Sequence, residues 1–246
     1  MPVVELSGVW KIFDGNEVLR GVSLTLPRGV TLAVMGGSGE GKTVLLRLVA
    51  GLIQPDAGEI RLFGTRIELL REEQMLPLRR RTGFVFQSAA LFDSLSVSEN
   101  VAYPLREHTR LSEEEIAARV RTFLSLVGLP GTEELLPAEL SGGMRKRVGI
   151  ARALALEPEV VFFDEPTAGL DPANARLVAD LIARLRTGVC DTAIVVTHDI
   201  EFAGTIADQI AILHEGQFVV TGTPAEVHGS RNSAVQAFLA GELGDS

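Results

Sequence analysis

The chain has 246 residues, 46% of them hydrophobic, which suits one large domain or a core with a smaller insertion and is not the composition of a disordered chain. Its formal net charge of −9 argues against non-specific binding of nucleic acid by the whole molecule. Two short basic runs, 79–81 and 145–147, are expected to lie on solvated faces. Cys190 is the single cysteine, so no internal disulfide can form, which fits a reducing compartment.

The N-terminal segment MPVVELSGVW carries no basic leader and no long apolar stretch, so we expect no signal peptide. A membrane-spanning helix needs about 20 consecutive, mainly apolar residues, and no window of the sequence approaches that length. We therefore expect a cytoplasmic protein that would reach a membrane only through a partner.

The first third of the chain predicts strands on either side of a glycine-rich loop. Apolar and polar residues alternate along 18–26, which predicts that four apolar side chains lie on one face of a strand: Val18, Val22, Leu24 and Leu26. Residues 30–35 are almost continuously apolar, as in a strand buried on both faces. A helix is predicted from about Lys42 to Leu52, with further strands at 59–63 and 83–87.

Residues 88–157 are predicted to be mainly helical. The segments SVSE (96–99) and SEEE (112–115) have the form of a capping box, in which a serine and a glutamate close a helix N-terminus. A helical stripe of apolar residues follows the second box: Ile116, Val120, Phe123, Leu124 and Val127. Gly128 and Pro130 would end that helix.

Strands and helices alternate again in the last third. Two apolar strands are predicted at 159–166 and 192–199, and the helix between them is predicted to start at Asp171. The segment 210–222 predicts a hairpin, and 223–246 a helical tail. This pattern indicates an α/β core with a mainly parallel sheet, into which the helical block is inserted.

The segment GGSGEGKT matches the phosphate-loop pattern G-x-x-x-x-G-K-[ST] and lies between a predicted strand and a predicted helix. Lys42 would reach the β- and γ-phosphates, and Thr43 would hold Mg²⁺. The predicted ATP-binding residues of this segment are Gly36, Gly37, Ser38, Gly39, Glu40, Gly41, Lys42, Thr43 and Val44. Glu40 is unusual there, because a carboxylate repels phosphate unless it points outward to water. The alternative is a glycine-rich turn that only caps a helix.

Asp164 and Glu165 end a predicted apolar strand. Taken alone, they would be interpreted most simply as a pair of solvated acids in a turn between a strand and a helix. Beside a phosphate loop, another interpretation is favoured: Asp164 binds Mg²⁺, directly or through water, and Glu165 polarises the attacking water. Gln87 and His198 also follow predicted strands, at the edge where α/β proteins bind ligands. Gln87 would sense Mg²⁺ or water and His198 would hydrogen-bond the γ-phosphate; singly, each also fits an ordinary loop or core position.

The segment ELSGGMRKRVGIARAL (139–154) predicts a second glycine-opened helix that suits a phosphate, although alone it is equally typical of a packing motif. Within one chain it has no obvious way to fold over the phosphate loop. A second copy, related by a two-fold axis, would supply it. Each ATP would then contact the phosphate loop of one copy and SGGM of the other.

In this order, the phosphate loop, Gln87, LSGGM, FFDEPTAGLD and VTHD resemble the nucleotide-binding subunit of ABC transporters over nearly the whole chain. The resemblance implies a RecA-like P-loop NTPase core with an N-terminal antiparallel β region and an inserted helical subdomain. It also implies that Phe13 stacks on adenine, that Ser141 and Gly143 contact the γ-phosphate bound by the partner copy, and that Asp171 lies in the dimer-crossing loop. Such subunits form an ATP-closed homodimer that drives a separate transmembrane pair.

A finer resemblance is to the phospholipid-transport branch, the Mla/Mce systems, through residues 86–108 and LSGGMRKRVGIARAL. The signature segment, Ser141, Gly142, Gly143 and Met144, departs from the general ABC pattern at its last residue, where glutamine is usual and a thioether cannot donate a hydrogen bond. The branch implies an integral-membrane permease subunit (MlaE-like), an MCE-domain protein and a small accessory protein as partners. It also implies a peripheral location on the cytoplasmic face of the inner membrane.

The start of the helical block is predicted to meet the permease. Residues 88–105 include Ala89, Ala90, Leu91 and Phe92, which would line an apolar notch for a short permease helix. Subdomain core is the alternative for each of the four.

These predictions divide the chain into a first core part, a helical subdomain with the signature, a second core part and a helical tail: 1–88, 89–157, 158–222 and 223–246. The predicted function is ATP hydrolysis coupled to movement of phospholipid between membranes, for outer-membrane lipid asymmetry. A polar-solute importer and a non-transporting ABC switch, such as a cell-division regulator, are the alternatives. A DNA-handling ABC ATPase is disfavoured by the acidic balance and the lack of a long coiled-coil insertion, so no nucleic-acid partner is expected.

Overall fold

The structure is a computed structural model that describes residues 2–186 and 188–241. In chain order its elements are β1 (Val4–Phe13), β2 (Asn16–Leu26), β3 (Thr31–Met35), α1 (Lys42–Val49), β4 (Ala57–Leu62), β5 (Thr65–Arg66), α2 (Glu72–Arg79), β6 (Thr82–Val85), α3 (Val97–His108), α4 (Glu113–Leu126), a 3₁₀ turn (Pro137–Glu139), α5 (Gly142–Leu154), β7 (Val160–Asp164), α6 (Pro172–Leu185), β8 (Ala193–Val196), α7 (Ile200–Ile206), β9 (Gln209–His214), β10 (Gln217–Gly222), α8 (Pro224–His228) and α9 (Ser233–Leu239). None of the helices described is long and apolar enough to cross a membrane.

The chain folds as two compact units. The first unit comprises residues 1–79 and 191–246, and the second unit comprises residues 80–190. The four-segment division drawn from the sequence has its boundaries at other residues and stays a prediction.

A mainly parallel sheet forms the centre of the first unit, with the strand order β10-β9-β3-β8. β3 is parallel to both neighbours, and its Val34 is level with Val196 of β8 and Ala211 of β9. All of β3 is buried, as expected for a strand covered on both faces. β10 pairs with β9 as an antiparallel hairpin that turns at Glu215 and Gly216. The predicted parallel core and hairpin are confirmed.

A second sheet of the first unit is antiparallel, in the order β2-β1-β4-β5. One prediction about it is wrong: Leu19, not Val18, is the residue fully buried near the start of β2. Val9 of β1 pairs with Val22, but Lys11 pairs with Leu19, so β2 contains one extra residue between these pairs. Such a bulge exchanges the two faces of a strand, which period-two alternation cannot reveal.

The C-terminal helices pack against the parallel sheet of the first unit. The helical start predicted at residue 223 is confirmed, and α8 begins with a capping box formed by Thr223 and Glu226. Val227 of α8 and Val235 and Phe238 of α9 belong to one buried cluster with Met35 of β3. Of the predicted tail, residues 242–246 lie outside the described residues.

The second unit combines the parallel pair of β6 and β7, in which Val85 is level with Phe163, with helices α3 to α6. α3 and α4 begin with the predicted capping boxes, at Ser96 and Ser112. The predicted apolar stripe, which runs along α4 to the residue directly after it, is buried throughout: Ile116, Val120, Phe123, Leu124 and Val127. Gly128, with φ +70, then takes the left-handed conformation that ends many helices.

Three short elements, β5, α2 and α7, are not predicted by the sequence patterns. α2 contains Pro77 and buries only Met75 and Leu78, so it lacks the continuous apolar stripe by which the longer helices are recognised. Tertiary packing, rather than local pattern, therefore stabilises it.

Candidate functional site

The glycine-rich loop joins β3 to α1 in the first unit. Gly36 has φ +156 and Gly41 φ +93, in the region that residues other than glycine rarely adopt. A Cβ on Gly36 would lie 2.4 Å from the carbonyl oxygen of Leu213, and one on Gly41 would lie 2.9 Å from Cγ1 of Val18. These positions therefore require glycine both for their backbone conformation and for lack of space.

Lys42 brings a positive charge into this loop. It is the first residue of α1 and only 8% exposed. Its ammonium donates hydrogen bonds to the carbonyl oxygens of Gly36 and Gly37, at 2.9 and 2.7 Å. The helix N-terminus adds its own positive potential, and Thr43, the second helical residue, brings a hydroxyl to the same end. This cradle fits a polyphosphate, and the hydroxyl oxygen is a ligand type that Mg²⁺ accepts.

Glu40, the acidic residue within the phosphate loop, is held by the β9–β10 turn. One carboxylate oxygen lies 2.9 Å from Nδ1 of His214, and the other accepts the N–H of Glu215 at 2.6 Å. The Glu40 side chain is 19% exposed. At the same turn, the carbonyl of Gly216 accepts the N–H of Arg20 at 2.8 Å, so the hairpin joins the phosphate loop to β2. The hairpin turn thus supplies hydrogen-bond partners for the Glu40 carboxylate.

Phe13, the last residue of β1, is 44% exposed. The ammonium of Lys11 lies 5.0 Å from the centroid of its ring. An exposed aromatic ring with a cation over it is suited to stack on a flat aromatic ligand such as a base.

His198 lies at the same sheet edge as the phosphate loop. Val196 of β8 is level with Val34 of β3, and the N–H of Thr197 donates to the carbonyl of Val34 at 3.1 Å. Gly36 and the exposed His198 each follow these paired residues by two positions. The parallel register therefore brings both to the carboxyl ends of adjacent strands, as predicted.

In the second unit, Asp164 ends β7 and Glu165 follows it, with 3% and 8% of their surfaces exposed. Val85 of β6 is level with Phe163 of β7, so Gln87 and Glu165 follow adjacent parallel strands at one edge. Carboxylate oxygens suit Mg²⁺, yet the described residues contain no cluster of three or more His, Cys, Asp or Glu side chains that would cage a metal. Such donors fit an ion that keeps phosphate and water among its ligands.

The two basic runs, predicted to lie on solvated faces, mostly hydrogen-bond to the main chain. Four of their side chains donate to carbonyl oxygens: Arg79 to Gly51, Arg145 to Leu140, Lys146 to Gln87 and Glu165, and Arg147 to Val127 and Gly128. Burial lowers the pKa of Lys146, and the carboxylates of Glu165 and Asp164 oppose that shift. Sequence reasoning missed this residue, although Gly143, Lys146 and Ile150 share the buried face of α5 at helical spacing.

The signature segment begins α5 and lies directly against the start of α6. Ser141 is the N-cap, and its Oγ accepts the N–H of Met144 at 3.2 Å. A Cβ on Gly143 would lie 2.5 Å from Oδ1 of Asn174. Asp171, the N-cap of α6, accepts two backbone N–H groups and the side-chain amide of Asn174. The two segments predicted to face a second copy are therefore adjacent in this unit.

The segment after Gln87 has a strained backbone that α5 holds in place. Ala89 and Ala90 have φ +62 and +47, a left-handed conformation that is unfavourable for alanine. Arg152 donates to both of their carbonyl oxygens, at 2.8 Å each. Of the four residues predicted to line an apolar notch, Ala89 is instead buried.

The other three notch residues are more accessible. Ala90 and Phe92 are exposed and Leu91 is half-buried. The ring of Phe92 lies 4.9 Å from that of Tyr103, and the two side chains are 44% and 43% exposed. Asn100 fixes this segment, because its side chain accepts the N–H of Phe92 and donates to three carbonyl oxygens of residues 92–96. The result is a small aromatic surface formed by the segment before α3 and by α3 itself.

Two features define the class of protein. The first unit has a glycine cradle that ends in Lys42 and Thr43, and the second has a buried Asp–Glu pair at the end of an apolar strand. These are the features of a phosphate-loop nucleoside triphosphatase. Comparison with known proteins gives the family, because residues 19–168 match the ABC transporter profile. The chain belongs to the ABC transporter family. As a member of it, the chain is an ATPase that works with ATP and Mg²⁺.

Several relatives cover most of this chain. The intermembrane phospholipid transport system ATP-binding protein MlaF of Escherichia coli (strain K12) is 42% identical over 92% of this chain and 85% of its own length. The chloroplastic protein TRIGALACTOSYLDIACYLGLYCEROL 3 of Arabidopsis thaliana is 42% identical over 98% of this chain and 74% of its own. The "Probable ribonucleotide transport ATP-binding protein mkl" of Mycobacterium tuberculosis (strain H37Rv) is 39% identical over 97% of this chain and 66% of its own.

Solved structures share the fold. The ATP-binding cassette MJ0796, as a dimer in a post-hydrolysis state with ADP and Pi, has a TM-score of 0.82 at 32% identity and covers 90% of this chain and 98% of that one. CbiO1 from Clostridium perfringens, part of the transporter complex CbiONQ, has a TM-score of 0.84 at 30% identity, with coverage of 97% and 95%. The predicted ABC ATPase fold is confirmed.

Proposed function

We propose that this chain is the ATP-hydrolysing motor subunit of a transporter that moves phospholipid between membranes. For hydrolysis, the observation that carries the proposal is the buried Glu165 at the carboxyl end of β7, next to Asp164. For the substrate, the support is the relative from Escherichia coli, whose name describes intermembrane phospholipid transport and which is 42% identical over 92% of this chain. This chain's transport is proposed to maintain outer-membrane lipid asymmetry.

The nucleotide is proposed to bind first to residues of the first unit. Residues 36–44 surround its phosphates through backbone N–H groups, and Lys42 neutralises charge on the β- and γ-phosphates. Phe13 stacks on the adenine. Thr43 and Asp164 are the proposed ligands of Mg²⁺, which supplies charge neutralisation when it is bound.

In the proposed hydrolytic step, this chain supplies one proton acceptor, the carboxylate of Glu165. The Glu165 carboxylate polarises a water, whose oxygen attacks the γ-phosphorus in line as the bond to the ADP oxygen breaks. ADP and inorganic phosphate are the products. Gln87 orients water and senses the ion, and His198 hydrogen-bonds the γ-phosphate. The negative charge that develops on the phosphates in the transition state is stabilised by Lys42 and by the signature segment of a second copy.

The active form is proposed to be a homodimer. Ser141, Gly142, Gly143 and Met144 would contact the ATP of the partner copy, and Asp171 would lie in the loop that crosses between copies. Support comes from the packing of these two segments against each other and from the dimeric state named for the MJ0796 structure. Because the thioether of Met144 donates no hydrogen bond, backbone N–H groups and the Ser141 hydroxyl would make the polar contacts.

A permease is proposed to dock on residues 88–105, and thereby to hold the homodimer at the cytoplasmic face of the inner membrane. The exposed pair Phe92 and Tyr103 supports this choice, because aromatic side chains are frequent anchors of protein interfaces. An MCE-domain protein and a small accessory protein are proposed as further members of the complex.

The test begins with the Glu165→Gln variant, which keeps the shape of the side chain but removes the proton acceptor. We expect ATP turnover to fall by about 100-fold or more while ATP still closes the dimer, seen by size-exclusion chromatography. Normal turnover in this variant would defeat the assignment. The substrate is tested with the complex that a tagged copy brings from membranes, reconstituted in vesicles that carry fluorescent phospholipid: lipid should move only while ATP is hydrolysed.

A second candidate is transport of a polar solute, favoured by the name of the mycobacterial relative, which is 39% identical over 97% of this chain. The same reconstituted complex separates the two. Uptake of labelled ribonucleotide without movement of phospholipid would support the second candidate. ATP hydrolysis with no movement of either would favour a non-transporting switch.

A further inference from the structure

A buried lysine that the proposed hydrolysis does not use lies behind Glu165 in the second unit. Lys146 is only 6% exposed. Its ammonium donates to the carbonyl oxygen of Gln87 at 2.5 Å and to that of Glu165 at 3.1 Å. An ammonium is stable away from water only where its N–H groups have acceptors, so these contacts determine where the side chain lies.

The main chain of Glu165 needs such support. Its φ is +45, in the left-handed region, which is strained for a residue other than glycine. The next residue is Pro166, whose ring further restricts the conformation of the residue before it. The Glu165 carbonyl accepts hydrogen bonds from the N–H of Ala168 at 3.2 Å and from Lys146. Fixing this carbonyl fixes the peptide plane after Glu165, and with it the direction in which the carboxylate leaves the main chain.

The same helix also fixes the segment that begins at Gln87. Lys146 and Arg152 of α5 together donate to three carbonyl oxygens of residues 87–90, and two of these residues have left-handed backbones. Arg152 donates to the carbonyl oxygens of Ala89 and Ala90, whereas Lys146 donates to the Glu165 carbonyl as well as to that of Gln87. α5 begins at the signature segment, so one ammonium joins the signature helix, Gln87 and Glu165.

We propose that Lys146 is a positioning residue for ATP hydrolysis, which holds the Glu165 carboxylate in its working direction and joins it to Gln87 and to the signature helix. This inference rests on the proposed role of Glu165. Lys146 itself exchanges no proton and affects the reaction through the direction of the Glu165 carboxylate. Its removal is therefore expected to slow the chemical step and to leave the capture of ATP by residues 36–44 unchanged.

The Lys146→Met variant tests the inference, because methionine keeps most of the volume and removes all three N–H donors. In the full-length chain we expect kcat to fall about 10- to 100-fold, as for other small displacements of a reacting group, with the KM for ATP changed less than about twofold. Lys146→Gln, which keeps an amide donor on a shorter side chain, should recover part of the loss. In a Glu165→Gln background, Lys146→Met should add nothing in single-turnover assays, because it acts through the carboxylate already removed.

Arg147→Met is the matched control. Arg147 is the next residue of α5, is half-buried and donates to the carbonyl oxygens of Val127 and Gly128, away from Glu165. Both methionine variants remove a partly or fully buried cation from the same helix, so both are expected to lower the thermal unfolding midpoint. Only Lys146→Met is expected to lower kcat.

Three results would overturn the inference: unchanged kcat in both Lys146 variants, a raised KM with normal kcat, or an equal loss of kcat in Arg147→Met. Should Lys146→Met not fold, Lys146→Gln decides in the same way, both alone and combined with Glu165→Gln. Failure of the proposed function has a different signature, since Glu165→Gln would then hydrolyse ATP at the normal rate. If Glu165→Gln is inactive and the Lys146 variants are normal, only the role of Lys146 is lost.

Discussion

Gly143 of α5 lies against Asn174 of α6 with no room for a side chain between them. A Cβ on Gly143 would lie 2.5 Å from Oδ1 and 3.1 Å from Cβ of Asn174. The Asn174 amide in turn donates to Asp171 at 2.6 Å, so the signature segment and the cap of α6 form one packed group.

This contact predicts opposite effects for two neighbouring glycines. Gly143→Ala should lower the free energy of unfolding by about 1–3 kcal/mol, because Asn174 must move and its hydrogen bond to Asp171 is lost. Gly142→Ala is the control: its Cβ would lie 3.5 Å from Leu170, an ordinary contact, and alanine is favoured over glycine in a helix. Urea unfolding of both variants measures the difference, and equal stabilities would contradict the packing described.

Phe13 is predicted to contribute to ATP binding and not to chemistry. Loss of one base–aromatic stack costs about 1–3 kcal/mol, so Phe13→Ala should raise the KM for ATP by about tenfold or more with little change in kcat. Phe13→Trp should keep the stack. Ile12, which precedes it and is 39% exposed, provides a matched control as Ile12→Ala. An unchanged KM in Phe13→Ala would show that the adenine lies elsewhere.

The Glu40 carboxylate is predicted to stabilise the fold through the β9–β10 turn. Glu40→Ala removes the acceptor of the Glu215 N–H and the partner of His214, so we expect the free energy of unfolding to fall by about 1–2 kcal/mol. Glu40→Gln keeps one acceptor and should lose less. Glu17→Ala, at a surface pair with Arg20, should change stability by less than about 0.5 kcal/mol. Thermal unfolding compares the three, and a Glu40→Ala variant as stable as the parent would refute the link.

Asp171 predicts a pH dependence of stability in acid. A hydrogen bond from the Asn174 side chain, followed by one from the Asn174 N–H, holds the pKa of Asp171 below its ordinary value of 3.8. A carboxyl whose pKa is lower in the folded chain adds stability that is complete above the unfolded pKa and lost as pH falls through the folded pKa.

The stability difference between the parent and Asp171→Ala should therefore be constant above about pH 5 and shrink below about pH 4. Asp171→Asn keeps an N-cap oxygen without a titrating group, so its difference from Asp171→Ala should show no such step. Urea unfolding at a series of pH values provides the measurement. A difference that grows as pH falls would contradict the direction of the shift.

Much of the local structure could be predicted because it depends on neighbours within a helical turn. The capping boxes at Ser96 and Ser112 each involve a serine and a glutamate three residues apart, and both form. The Asp171 cap forms for the same reason. The buried face of β2 was assigned wrongly near Val18, because an inserted residue shifts the pairing with β1 and leaves no mark on the alternation.

The sequence alone determined the phosphate loop, the α/β class and the family. These features depend on short segments with specific residue types, and the order and spacing of those segments in the chain were enough to identify them. Only the tertiary structure decided where the polar side chains Glu40 and Lys146 find partners. Glu40 meets His214 across 174 residues and Lys146 meets Gln87 across 59, and periodicity contains no information about such pairs. Burial then sets the outcome, because a charge removed from water must find the partners that the folded chain brings to it.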